Sequence, residues 1–256
     1  MKKYSIIANL KMYLSADQTV AFATEHFDAL VKYAGHKSLA ITIAPTLPVM
    51  RDLALIFKDT QLSWAAQDCS NHLAGAFTGQ VSPLSLKEIG CSACIIGHSE
   101  RRRFCGETSE DVATKAQLLL DCTLSPIICI GEDHEHMEQA LATLHEQLNP
   151  VLQAIKNYQH KIKNIPVYIA YEPAWSIGTG KIAEGSYLES IFAWLKKETQ
   201  ALGAGFTWRF LYGGSVNAQT ISVFKKIGAI EGFLIGKASS NFEEFEKILK
   251  SIMLES

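Results

Sequence analysis

The chain has 256 residues, 48% hydrophobic and 20% charged, an ordinary globular balance. Its formal net charge of −2 speaks against nucleic acid or an anionic membrane as partner, so any anion must be met by a local site. A chain of this length buries about 70–75% of its unfolded surface, so it needs no disulfide or metal staple.

The N-terminus, MKKYSIIANLK, opens like a secretion signal. Its apolar stretch carries Asn9, is closed by Lys11 and has no small-residue cleavage site after it. Nothing approaches 18 uninterrupted apolar residues. The expectation is a cytoplasmic protein that neither spans nor binds a membrane.

From there, short apolar and β-branched runs recur along the chain. They are YSIIAN (4–9), LAITIAP (39–45), LSWAAQD (62–68), CSACIIG (91–97), SPIICIG (125–131), PVYIAYE (166–172), WRFLYGG (208–214) and GFLIG (232–236). Most are apolar throughout rather than alternating, as parallel strands covered on both faces should be. Each is followed by a polar turn and a segment of helical period. The first such segment, 15–33, predicts a helix with Ser15 as N-cap and Val20, Phe22, Ala23, Phe27, Leu30 and Val31 on one face. Eight βα steps averaging 32 residues, with no linker or composition shift, predict one closed eight-stranded parallel (β/α)8 barrel domain over residues 1–256. Chemistry in such a barrel lies where the βα-loops gather, at the carboxyl ends of the strands.

The groups expected on that face are specific. Asn9 and Lys11 follow the first strand at a spacing that lets both look the same way. His98 and Glu100 follow the fourth in GHSERRR, and Glu172 ends the sixth. Gly213, Gly214 and Ser215 follow the seventh, and Gly236 closes the eighth. A carboxylate, an imidazole, an ammonium, an amide and two glycine-rich turns are what a general base, an electrophile, a fixed cation and a phosphate cradle require. Each alone has a structural reading: a strand-end histidine, more often structural than catalytic, a solvated lysine, a capping acid, a tight turn. Their coincidence at one end of different strands favours the site. Glycine lets backbone N–H groups approach an anion, and barrels often build a phosphate site after strands seven and eight.

Other motifs carry less. SIGTGKI fails as a P-loop, because Trp175 occupies the first-glycine position and Ile182 follows the lysine where Ser or Thr should bind magnesium. No GxGxxG follows a strand, so no nucleotide cofactor is expected. The six cysteines (69, 91, 94, 105, 122 and 129) stand mostly in apolar runs and read as buried thiols. Cys91 and Cys94, at i and i+3 on a strand, would face opposite ways and make a poor chelate, so no metal is expected. His134 and His136 read as a solvated helix start.

With these residues assembled, the sequence resembles the triosephosphate isomerase family. NLKM, GAFTGQ, IIGHSERR, CIGE, AYEPAWSIGTGK, YGGSV and GFLIGKAS occur in the family's order between residues 9 and 239, nearly the whole chain. The resemblance implies a TIM barrel that interconverts dihydroxyacetone phosphate and D-glyceraldehyde 3-phosphate through an enediolate, in glycolysis and gluconeogenesis, without cofactor or metal. It implies Glu172 as the base, His98 as a neutral electrophile beside the short helix beginning SERR, Lys11 as the fixed cation and Asn9 as a polarising group. Glu100 would support Lys11, and Cys129 would pack behind the base. The segment 173–180 would be the lid that closes over Glu172. Gly178, Ser215, Gly213, Gly214, Gly236 and Lys237 would hold the phosphate. The loop 74–79, with Phe77 at its tip, resembles the family's dimer loop, which implies a homodimer in which Thr78 approaches the partner's Asn9 and Lys11.

Three departures stand out. Leu10 replaces a common tryptophan, Gln80 a frequent glutamate, and Lys237 a second glycine beside Gly236, where a non-glycine residue restricts φ. A sugar-phosphate epimerase would need another acid or metal ligands at strand ends, and no such cluster is found. A catalytically impaired homologue with a binding role would be marked by loss of Glu172, His98 or Lys11; all three are present.

Overall fold

The computed structural model describes residues 2–133, 137–158, 165–176, 183–203 and 205–253. Eight parallel strands close into a barrel in chain order, with β8 pairing back onto β1. They are β1 Tyr4–Asn9, β2 Leu39–Ala44, β3 Ser63–Ala66 and β4 Ala93–Ile96, then β5 Ser125–Ile130, β6 Pro166–Tyr171, β7 Thr207–Tyr212 and β8 Gly232–Ile235. Each falls inside or within one residue of an apolar run, because strands buried on both faces leave a continuous hydrophobic signature. The first helices are α1 Ala16–Glu25, α2 Phe27–Ala34, α3 Met50–Ile56, α4 Pro83–Glu88 and α5 Ser99–Cys105. They are followed by α6 Ser109–Asp121, α7 Met137–Ile155, α8 Gly185–Gln200, α9 Ile221–Phe224 and α10 Phe242–Met253.

The core has two layers. Inside the barrel, Ile7, Ala44, Ala65, Ala93, Ile95, Ile127, Cys129, Ala170, Leu211 and Leu234 fill the lumen with mostly small or branched side chains. Outside it, larger residues such as Phe192, Phe224, Phe233 and Phe245 pack the sheet against the helices. The barrel closes tightly at Gly232, where a Cβ would stand 2.1 Å from the Ser5 carbonyl oxygen.

One expectation needs correction. Segment 15–33 is two helices, α1 and α2, separated at His26, which leaves helical geometry with ψ near 14°. The His26 ring stacks on Phe242 of α10 at 3.9 Å between centroids, a tertiary contact that no local periodicity could reveal. The start was legible: Ser15 caps α1 and exchanges hydrogen bonds with Gln18 in a capping box. Cys91 and Cys94 are buried thiols, and burial pushes Cys91 up to about 11. Cys105 departs from the expectation and is exposed. His134 and His136 lie outside the described residues.

Candidate active site

The carboxyl ends of β1, β4, β5 and β6 bring five of the expected side chains together. Glu172 is the first residue past β6, and its Oε1 lies 3.2 Å from His98 Nε2, with both residues buried. His98 is the N-cap of α5, and its Nδ1 accepts the backbone N–H of Glu100 at 3.2 Å. A nitrogen that accepts carries no proton, so this bond favours the neutral ring protonated on Nε2 and aimed at Glu172. Lys11 Nζ meets Glu100 Oε1 at 2.7 Å.

The electrostatics follow from this packing. Burial acts to raise the Glu172 pKa, but His98, then Lys11 and the Cys129 thiol, outweigh it and hold the carboxyl below its usual 4.5. Burial opposes charge on His98, whereas the neighbouring Glu172 carboxylate favours it, and the balance lies above 6.5. The Glu100 amide and the Glu172 carboxylate thus pull the imidazole in opposite directions. Cys129, fully buried on β5 behind the base, is pushed well up and remains a thiol. Among the described residues, Glu172 Oε2 is buried without a direct hydrogen-bond partner, as an oxygen kept for another molecule would be.

Lys11 reaches the site by a route other than strand alternation. The strand ends at Asn9, and Lys11 takes a left-handed backbone, φ 48°. Such a conformation costs a side-chain-bearing residue about 1–2 kcal/mol. It is over-determined here: Asn9 Oδ1 accepts the Lys11 N–H at 3.0 Å, and Gln67 Nε2 donates to the Lys11 carbonyl at 2.9 Å. Gln67 also donates to the Ala44 carbonyl at 2.9 Å, tying β2 to the same turn.

On the other side of the barrel mouth, the glycines have reasons beyond anion approach. A Cβ on Gly213 would stand 2.8 Å from Glu172 Cγ, so this position is the seat of the carboxylate side chain. A Cβ on Gly214 would collide with the Tyr212 hydroxyl, and one on Gly236 would press on Lys11 Cε at 3.1 Å. Ser215 Oγ donates to the Ser176 carbonyl at 2.5 Å, joining the β7 turn to the stem of segment 173–180. After β8 a 3-10 turn, Lys237–Ser240, opens with Gly236 as its N-cap. Lys237 is exposed and is not among the residues of positive φ, so a side chain fits there without left-handed strain. Gly178 and residues 177–180 lie outside the described residues.

Three further groups shape the site and were not read from the sequence. Buried Glu132 accepts on Oε1 from Tyr171 (2.8 Å), Trp175 Nε1 (3.0 Å) and Tyr187 (3.1 Å), which pins the stem after Glu172. At Gly131 a Cβ would stand 1.8 Å from the Glu172 carbonyl oxygen, and Gln147 brackets the Gly131 N–H and carbonyl at 2.9 and 2.7 Å. The signal available was CIGE itself, an acid directly after a strand-end glycine. The other expected residue, Thr78, lies in a loop that is exposed from 74 to 80 and in which Phe77 stacks on His72.

Comparison with known proteins gives this geometry a family. The sequence profile of triosephosphate isomerase matches residues 4–252. A triosephosphate isomerase of Citrifermentans bemidjiense is 36% identical over 255 residues, covering 98% of this chain and 99% of its own. One from Cupriavidus taiwanensis is 34% identical over 249 residues, covering 96% and 98%. One from Coxiella burnetii is 42% identical over 193 residues, 74% of each chain. The chain belongs to the triosephosphate isomerase family and is an isomerase.

Proposed function

We propose that the protein, as one barrel domain over residues 1–256, interconverts dihydroxyacetone phosphate and D-glyceraldehyde 3-phosphate, serving glycolysis and gluconeogenesis in the cytoplasm. The observation that carries the residue assignment is the 3.2 Å approach of Glu172 to the Nε2 of a histidine whose Nδ1 is occupied by a backbone amide. Glu172 removes a proton from one carbon of the triose and returns it to the other. The His98 Nε2–H, with Asn9, donates to the oxygens on C1 and C2 as negative charge develops there. When a substrate oxygen takes the place of Oε1 at Nε2, the influence that raises the His98 pKa weakens. The Glu100 amide then keeps the ring neutral. Lys11, oriented by Glu100 and by its left-handed backbone, is the fixed cation that stabilises the enediolate. Cys129 backs the carboxylate.

The phosphate binds at Ser215, the Gly213–Gly214 turn and the Gly236–Lys237 turn, with Gly178 joining as segment 173–180 closes over the enediolate and excludes water. No cofactor or metal takes part, nor does nucleic acid. No described helix is long and apolar enough to cross a membrane. The protein works as a homodimer through the 74–79 loop. A cavity of about 510 Å³ that reaches Asn9, Lys11 and the exposed Met12 is the receiving surface, and the partner's Thr78 seats there.

Turnover of glyceraldehyde 3-phosphate by purified protein, coupled to a dehydrogenase, tests the reading beside Glu172→Gln. Conversion that falls by at least about 10²-fold in the variant supports it, the scale for losing a general base. A folded dimer no faster than the variant would instead be an impaired homologue with a binding role.

A further inference from the structure

Pairing of β4 ends at Ile96, two residues before His98, and the link between them is Gly97 in a left-handed conformation, φ 70°. Glycine is the most freely rotating residue available. A mobile link directly before a side chain that must be held to a few tenths of an ångström needs restraint from elsewhere. The two peptide groups of Gly97 receive it from two side chains. Glu107 Oε2 accepts the Gly97 N–H at 3.1 Å, and Arg102 Nε donates to the Gly97 carbonyl at 2.8 Å. Both planes flanking the glycine are therefore fixed, and with them the start of His98.

Each clamp is itself anchored. The Glu107 side chain is 2% exposed, and its Oε1 meets Lys115 Nζ at 2.5 Å. Lys115 also meets Asp68 Oδ1 at 2.7 Å, and the other Asp68 oxygen pairs with Arg101. Arg102 Nη1 reaches Ser109 Oγ at 3.3 Å, and Nη2 lies 3.5 Å from the Cys129 carbonyl on β5. Burying a carboxylate and an ammonium is a poor way to gain stability, because desolvation offsets most of the attraction. The arrangement makes better sense as registry. We propose that Glu107 and Arg102 are positioning residues for the isomerase reaction, acting through Gly97 to set the height of His98 Nε2 against the substrate oxygens.

This rests on reading His98 as the electrophile. The test uses Arg102→Lys and Glu107→Gln in the full chain, with kcat and KM measured at several protein concentrations and the His98 ring nitrogens followed by 15N NMR. Lysine keeps the charge but cannot span the Gly97 and Cys129 carbonyls. Glutamine keeps an acceptor for the Gly97 N–H but loses the pairing with Lys115. The expected result is kcat lower by about 10- to 100-fold in Arg102→Lys and by about 3- to 10-fold in Glu107→Gln, with KM within about twofold and shifted 15N resonances. Glu107→Gln decides alone if Arg102→Lys does not fold. Wild-type kcat in a folded variant overturns the proposal. So does a loss of kcat that follows subunit dissociation, or one with unmoved His98 resonances. If His98→Asn itself keeps wild-type kcat, the electrophile reading fails, and the clamp is judged on the 15N shifts alone.

Discussion

The two halves of the barrel mouth solve opposite problems. On the β1, β4 and β6 side, Lys11, His98 and Glu172 are side chains whose positions are fixed. Each is held by a second group: Glu100, the Glu100 amide, or the glycine seat at 213. On the β7 and β8 side the groups proposed for the phosphate are mostly backbone N–H donors, and what shapes the turns is mostly side chains that are absent. Moving a proton needs one atom held in one place, whereas binding a phosphate needs several donors spread around a sphere. The first half therefore depends on long-range bracing, and the second on short turns that a local motif can encode.

The sharpest way to test the reacting half is to remove the proposed base: Glu172→Gln should lower kcat by about 10²–10⁴-fold. A variant that crosses between the halves comes next. Gly213→Ala adds a methyl where Glu172 Cγ already lies, at 2.8 Å, so it should displace the carboxylate and cost about 10- to 100-fold in kcat. Steady-state kinetics with inorganic phosphate as competitor separates the outcomes. If Gly213 serves the phosphate alone, the competitor's Ki rises and kcat holds; if it seats the base, kcat falls and Ki holds.

Electrostatics offers a third test. Burial alone would raise the Glu172 pKa, and His98 is the largest influence that brings it below 4.5. Replacing His98 by Gln should therefore move the carboxyl upward, because the largest influence opposing burial is removed. A 13C titration of the Glu172 carboxyl, assigned with Glu172→Gln, reads the shift. In the parent the ionised carboxylate adds stability above the unfolded value, and that stability is lost as pH falls through the lower folded value. The same stability window should shrink in the His98 variant.

What was legible in the sequence divides along similar lines. The eight strands were readable because both faces are buried, and the strand-end residues because the barrel dictates which end carries chemistry. Local capping at Ser15 was readable for a different reason, since both partners lie within four residues. His26 was not, because its partner Phe242 is over 200 residues away. Gln67, Gln147 and Glu107 were equally silent: each acts on a backbone group that only the closed barrel brings near. Lys11 stands out in the sequence by its charge, but a left-handed turn rather than strand alternation carries it in. Gly213 and Gly214 looked like an anion turn, while the collisions a side chain would cause are with Glu172 and Tyr212.

The smallest expected effect belongs to the phosphate half. Lys11 is paired with Glu100 and Glu172 is negative, so among the described groups assigned to the site the charges sum to −1 without Lys237. Lys237, exposed at the head of the turn after β8 and in no ion pair among the described residues, cancels that charge before a phosphate dianion arrives. An exposed charge acting across solvent is worth at most about 1 kcal/mol, or about fivefold. Lys237→Met should therefore raise KM and the Ki for inorganic phosphate by about two- to fivefold while leaving kcat equal or slightly higher. The difference should fade between about 0.02 and 0.5 M salt, as screening removes it in the parent as well. A loss that persists at high salt would mean that the 237 side chain acts by contact or backbone shape. The phosphate half would then depend on a fixed side chain as much as the reacting half does.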